Sequence, residues 1–181
     1  MKGRYLVAVL AGGLAAFVWS SISWMVLPWH QPTLRGFEDE ASFGLAVKKA
    51  APAPGIYTYP AWTGDSEEME RKHMEGPYVF ASVLPGGLGA CMGRMMVCGF
   101  IVNVIGASIL LLMMMQVPDQ GWKSRMPMVM IGALFVSLVP ALIYWNWWQF
   151  PLGFTVVGIL AGLIAWTLSG FVMAKVTSRK G

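Results

Sequence analysis

Charge is what this sequence has least of. Asp, Glu, Lys and Arg make up 12% of its 181 residues, against roughly 25% in soluble domains. With 56% of the residues hydrophobic and a mean hydropathy of +0.59, a disordered chain and a coiled coil are excluded. Only two cysteines are present, which excludes a disulfide scaffold. The charge is missing in blocks. Tyr5 to Pro28, Met95 to Val117, Met128 to Trp148 and Leu152 to Ala174 contain no Asp, Glu, Lys, Arg or His. Each run is 21 to 24 residues long, and at about 1.5 Å per helical residue each reaches roughly 30 Å or more, the thickness of a bilayer's hydrocarbon core. The expected fold is an all-α membrane protein with four transmembrane helices.

The cations that remain set the orientation. Lys2, Arg4, Lys123, Arg125, Lys175, Arg179 and Lys180 gather on one side with Asp119 alone against them, whereas residues 29–94 hold six basic and eight acidic residues. Short basic loops stay in the cytoplasm, so both termini are expected there and 29–94 outside. The first run has a basic start like a secretory signal peptide. Its 24 residues, with Trp19 and Trp24 and no small-residue cleavage site, make it an uncleaved signal anchor instead. The organisation is then 1–28 (cytoplasmic tail and first span), 29–94 (extracytoplasmic), 95–174 (three spans) and 175–181 (basic tail).

The segment 29–94 carries its own pattern, a small αβ arrangement. Phe37 to Ala51 reads as a helix, with Glu38, Asp39 and Glu40 in the first turn and Lys48 and Lys49 in the last, the order that suits the helix dipole. Ile56 to Tyr59 is strand-like, and Asp65 with Glu68 forms a capping-box-like start to a polar helix through about Glu75. Gly76-Pro77 breaks it, and Tyr78 to Leu84 reads as a second strand. So little apolar material cannot build a sizeable core.

Candidate chemistry is sparse. Cys91, Met95 and Cys98 fall on one helical face at i, i+4 and i+7, and their soft sulfurs suit Cu(I); the competing explanation is that Met and Cys are pliable packing residues. His30, in Leu27-Pro28-Trp29-His30, is a second metal candidate because carboxylates follow it, but it lacks a second ligand at a motif spacing and equally suits an interfacial anchor. Gly87 to Gly93 imitates a dinucleotide-binding glycine pattern without the βαβ context, so a tight turn is the simpler reading. Gly64-Asp65-Ser66 has none of the surroundings of a hydrolase serine. No catalytic residue and no cofactor are expected, copper being the exception to weigh.

The spans carry hydroxyls and amides but no ionisable residue, which argues against proton- or ion-coupled transport. Small residues form stripes at Ala8, Gly12 and Ala16, and at Gly158 and Gly162, as helix packing requires. Trp29 and the cluster Trp145, Trp147 and Trp148 are expected to anchor at the membrane interface.

Leu27-Pro28-Trp29-His30, Phe37 with Asp39-Glu40, Gly55-Ile56-Tyr57 and Gly76-Pro77 followed by Val79-Phe80 give the chain a further handle. In these segments it resembles a group of small bacterial inner-membrane proteins. The resemblance implies a bacterial four-span protein with an outer αβ segment and carries over no active-site residue. The expected function is a non-enzymatic accessory or assembly subunit of a membrane complex, with lipid and other membrane subunits or self as partners and no nucleic acid. A copper- or redox-handling protein using Cys91 to Cys98 is the alternative, and a small-solute permease the third.

Overall fold

The computed structural model describes residues 2–62 and 66–178. Their elements run α1 (Lys2–Met25), α2 (Glu40–Ala50), β1 (Gly55–Tyr59), α3 (Ser66–Glu75), β2 (Val79–Val83), α4 (Met92–Met114), α5 (Trp122–Trp148) and α6 (Leu152–Thr177). Four helices, α1, α4, α5 and α6, are long and apolar enough to cross a membrane. The fold is therefore mostly helical with a small two-stranded sheet.

The helices overrun the charge-free runs. α5 begins at Trp122 rather than Met128, taking in Lys123 and Arg125, and it continues through Pro127 and Pro140 although neither has an amide hydrogen to give. At its far end Gln149 turns left-handed (φ 55°) and Pro151 opens α6. Three residues suffice to reverse the chain.

In the helical unit α6 packs along both α1 and α5, α1 also packs along α4, and α4 touches α5 and α6 more sparsely. Small residues make these approaches close. Ala8, Gly12 and Ala16 are all buried, and a Cβ on Gly12 would lie 2.6 Å from Met173 Cγ and 3.0 Å from Ser169 Oγ. Gly13 faces the backbone of Val104, where a Cβ would sit 2.9 Å from its Cα. Gly170 sits on Val129 and Gly106 on Trp166 with equally little room. The apolar core (Ala8, Ala107, Leu110, Leu111, Met114, Val129, Met173 and Ala174) gathers at the end of the bundle where α1 starts and α6 finishes.

Residues 35–91 form a separate compact unit. β1 and β2 pair antiparallel from Gly55↔Val83 to Tyr59↔Val79, with α3 in the connection. α2 starts three residues later than its charge pattern predicts. Asp39 is the N-cap, its Oδ1 accepting from the Ser42 amide at 3.0 Å, so Glu38 precedes the helix and only Glu40 lies in its first turn. The Phe37 ring stacks on Phe43 at 3.7 Å across that cap. Salt bridges Glu68–Lys72 and Arg71–Glu75, each 2.6 Å, run along α3. Asp65, half of the predicted capping box, lies outside the described residues.

Hydrogen bonding from Ser42 holds the Asp39 carboxyl below its ordinary range. Its capping contribution is therefore present above the unfolded-state pKa and fades as the pH falls through the folded value. Asp39→Ala is expected to speed hydrogen exchange at the Ser42 and Phe43 amides severalfold at neutral pH, with Asp39→Asn restoring protection. Unchanged exchange in the Ala variant would mean the cap does not hold the helix start.

Candidate functional site

The best-defined polar cluster of the helical unit forms where α1 ends. Leu27 and Pro28 stop that helix, the chain doubles back, and a 3-10 turn (Gln31–Thr33) follows. Thr33 fixes the turn by donating its hydroxyl to the His30 carbonyl at 2.7 Å. His30 is thereby laid back on the last turn of α1, where it is 3% exposed. Its ring stacks on Trp24 at 3.8 Å, nearly parallel, and meets the edge of Trp29. Its Nε2 lies 2.9 Å from Ser23 Oγ. The Trp29 indole N–H donates to both the carbonyl and the hydroxyl oxygen of Ser23 at 3.1 Å. Trp29 also meets Trp19 edge-on, and the Trp19 N–H donates to the Ala161 carbonyl of α6 at 2.9 Å. A relay of rings and hydrogen bonds thus connects the chain leaving α1 to the third turn of α6.

A serine hydroxyl on a histidine nitrogen is half of a nucleophile–base pair. Here neither group can meet a substrate, since Ser23 is fully buried and His30 almost so. Burial lowers the His30 pKa below its ordinary value, so the ring is neutral at pH 7. The geometry does the work of a latch, holding a loop against a helix end.

The opposite end has a second polar cluster. Arg125, only 6% exposed, donates from Nη1 to Thr177 Oγ1 at 2.8 Å, and its Nη2 lies 3.9 Å from Asp119 Oδ2. Arg4 donates from Nε to the Val176 carbonyl at 2.6 Å and from Nη2 to that of Ser178. These carbonyls belong to the last turn of α6, where cations offset the helix dipole. Beside them Lys175 lies over the Trp122 ring at 4.1 Å, and Trp122 packs edge-on against Phe171.

The residues singled out from the sequence fall in several places. Cys91 is half-buried just ahead of α4, Met95 and Cys98 are exposed on it, and neither cysteine is in a disulfide. Among the described residues no three His, Cys, Asp or Glu side chains converge as a metal site would need. His30 is not grouped with the sulfurs; its Nε2 faces Ser23. Gly87 and Gly89 have positive φ, and the Gly87 amide bonds the Leu84 carbonyl, so the glycine-rich stretch is a turn into α4. Gly162 packs on Ser137, whereas a Cβ on Gly158 would meet open space. Trp145 and Trp147 are exposed, and Trp29 and Trp148 half-buried. Sequence reasoning marked His30 but not Ser23, and read Arg4 and Arg125 as orientation charges rather than helix clamps. Only an i, i+7 spacing across Leu27-Pro28 hinted at the first pair.

No protein-family model matches the chain, and no curated protein or solved structure is significantly similar to it.

Proposed function

We propose that this chain is a multi-pass protein of a bacterial inner membrane that serves as a non-enzymatic accessory or assembly subunit of a membrane complex. Residues 35–91 carry the argument. Among their described members only Ala51 and Pro60 are buried, while Leu45, Ile56, Trp62, Met74 and Leu88 are each more than half exposed. A unit with so little core draws its order from a surface that covers it. The best-organised polar groups of the spans are meanwhile occupied in joining helices. The excess of Lys and Arg at one end supports a cytoplasmic position for both termini.

Blue native electrophoresis of native membranes tests the role. Migration in an assembly larger than a homodimer is expected, and migration only as the 19.8 kDa chain or its dimer would overturn it. Orientation is tested with single cysteines in a Cys91→Ser/Cys98→Ser background. An impermeant reagent added outside is expected to label Ser66→Cys and spare Gln120→Cys, both of which are exposed positions. The reverse pattern would overturn the charge argument.

A second reading, copper or redox handling, draws on the exposed sulfurs of Met92, Met95, Met96 and Cys98 at the start of α4. Elemental analysis decides it: copper no higher in the parent than in Cys91→Ser/Cys98→Ser removes it.

A further inference from the structure

The bundle end that carries Trp122 has cations for which the helix clamps give no use. Arg4 and Arg125 point their guanidiniums at the last turn of α6. Lys123 and Lys175 do not. Both are exposed, neither forms an ion pair among the described residues, and both ammonium groups lie beside one indole, at 5.7 and 4.1 Å from the Trp122 centroid. Trp122 is half-buried. It is also the first residue of the 27-residue α5, whose N-cap Gly121 supplies no side-chain acceptor. The acidic residue here is Asp119, which faces Arg125 and the Gly121 amide.

We infer that Lys123, Lys175 and the Trp122 N–H form a binding site for the phosphate of an anionic phospholipid. Two ammonium groups neutralise the headgroup, the indole N–H donates to a phosphate oxygen, and the rings of Trp122 and Phe171 lie where the acyl chains begin. Trp is enriched at that depth, and basic pockets between spans hold anionic headgroups. A lipid rather than a free anion is favoured because this end belongs to helices apolar enough to cross a bilayer, with Lys stems long enough to reach the headgroup layer. The inference requires only those spans, not the accessory role, so gel migration and lipid retention fail independently.

The test is native mass spectrometry of the full chain released from nanodiscs of equal phosphatidylglycerol and phosphatidylethanolamine. The parent is expected to retain phosphatidylglycerol preferentially, and each lysine removed to cost about fivefold in retention. Lys123→Gln/Lys175→Gln should then lose the preference. Lys123→Arg/Lys175→Arg should keep it, and so should Lys48→Gln/Lys49→Gln, two exposed lysines of the other unit. Trp122→Phe, which retains a ring without the N–H, should lower it in part. No preference in the parent, or equal losses in the two Gln pairs, would overturn the site. Displacement of the lipid by millimolar inorganic phosphate would also overturn it, since the occupant would then be a free anion.

Discussion

Gly13→Leu is expected to part α1 from α4 and to leave little monodisperse protein, while Gly158→Leu is expected to yield a bundle as stable as the parent. The difference lies in what each new side chain meets. At Gly13 a Cβ alone would lie 2.9 Å from Val104 Cα and 3.1 Å from its amide nitrogen. A neighbouring backbone cannot rotate away as a side chain can, so the two helices must separate along their contact. Overpacking in a tight interior costs typically 1–3 kcal/mol, and about the upper end applies where nothing can yield. Gly170→Leu belongs to the same class, because Val129, with a Cγ1 2.3 Å from the added carbon, is buried and β-branched. Gly158 has nothing within 4 Å. Thermal unfolding in detergent compares the three. If Gly13→Leu unfolds at the parent's temperature, the α1–α4 contact is not the close approach described. If Gly158→Leu keeps its unfolding temperature but loses the large assembly on native gels, Gly158 faces a partner.

The second large effect is at His30. His30→Ala should lower the unfolding temperature markedly, since it deprives the buried Ser23 hydroxyl of one partner and empties the space against Trp24. The Ser23 hydroxyl keeps the Trp29 N–H as a partner, so the lost hydrogen bond costs about 0.5–1.5 kcal/mol, and the lost stack adds to it. The parent should also lose stability in mild acid. Burial places the folded-state pKa of His30 below its ordinary 6.5, so the folded protein takes up that proton less readily than the unfolded chain. Stability then rises with pH across the window below 6.5 and is level above it. His30→Gln should flatten this slope between pH 7.5 and 5, whereas His73→Gln, at an exposed position of α3, should leave it in place. An acid slope that survives in His30→Gln would assign it to other groups.

The long apolar helices are legible in this sequence because an uncharged stretch of more than 20 residues has few other uses, and all four runs became helices long enough to cross a membrane. Their starts were less legible. α5 takes in Lys123 and Arg125 because a helix needs satisfied amides rather than apolar side chains, and Arg125 finds its partner Thr177 at the same end. In residues 35–91 the order helix, strand, helix, strand was readable from Pro and Gly stops. The exact start of α2 depended on which of three acids became the cap. Helix packing was read only in part. Gly12 and Gly162 lie in the stripes that spacing suggested, but Gly13, Gly106 and Gly170 make equally close or closer approaches without any G-x-x-x-G pattern. A small residue marks a seam only once its neighbour is known. The latch shows the same limit, since Ser23 is one of several serines in α1 until the turn at Leu27-Pro28 brings His30 back onto it.

Arg4 holds the carbonyls of residues 176 and 178, so the first helix and the last close on each other. Synthesis imposes a delay on that closure. α1 is complete at Met25, but α6 does not begin until Leu152, and at about 5–20 residues per second the interval is on the order of ten seconds. Throughout it the small-residue face of α1, with Ala8, Gly12 and Ala16, has no α6 to receive it. Until the last helix arrives, that face of the first is open to pairing with the wrong helix.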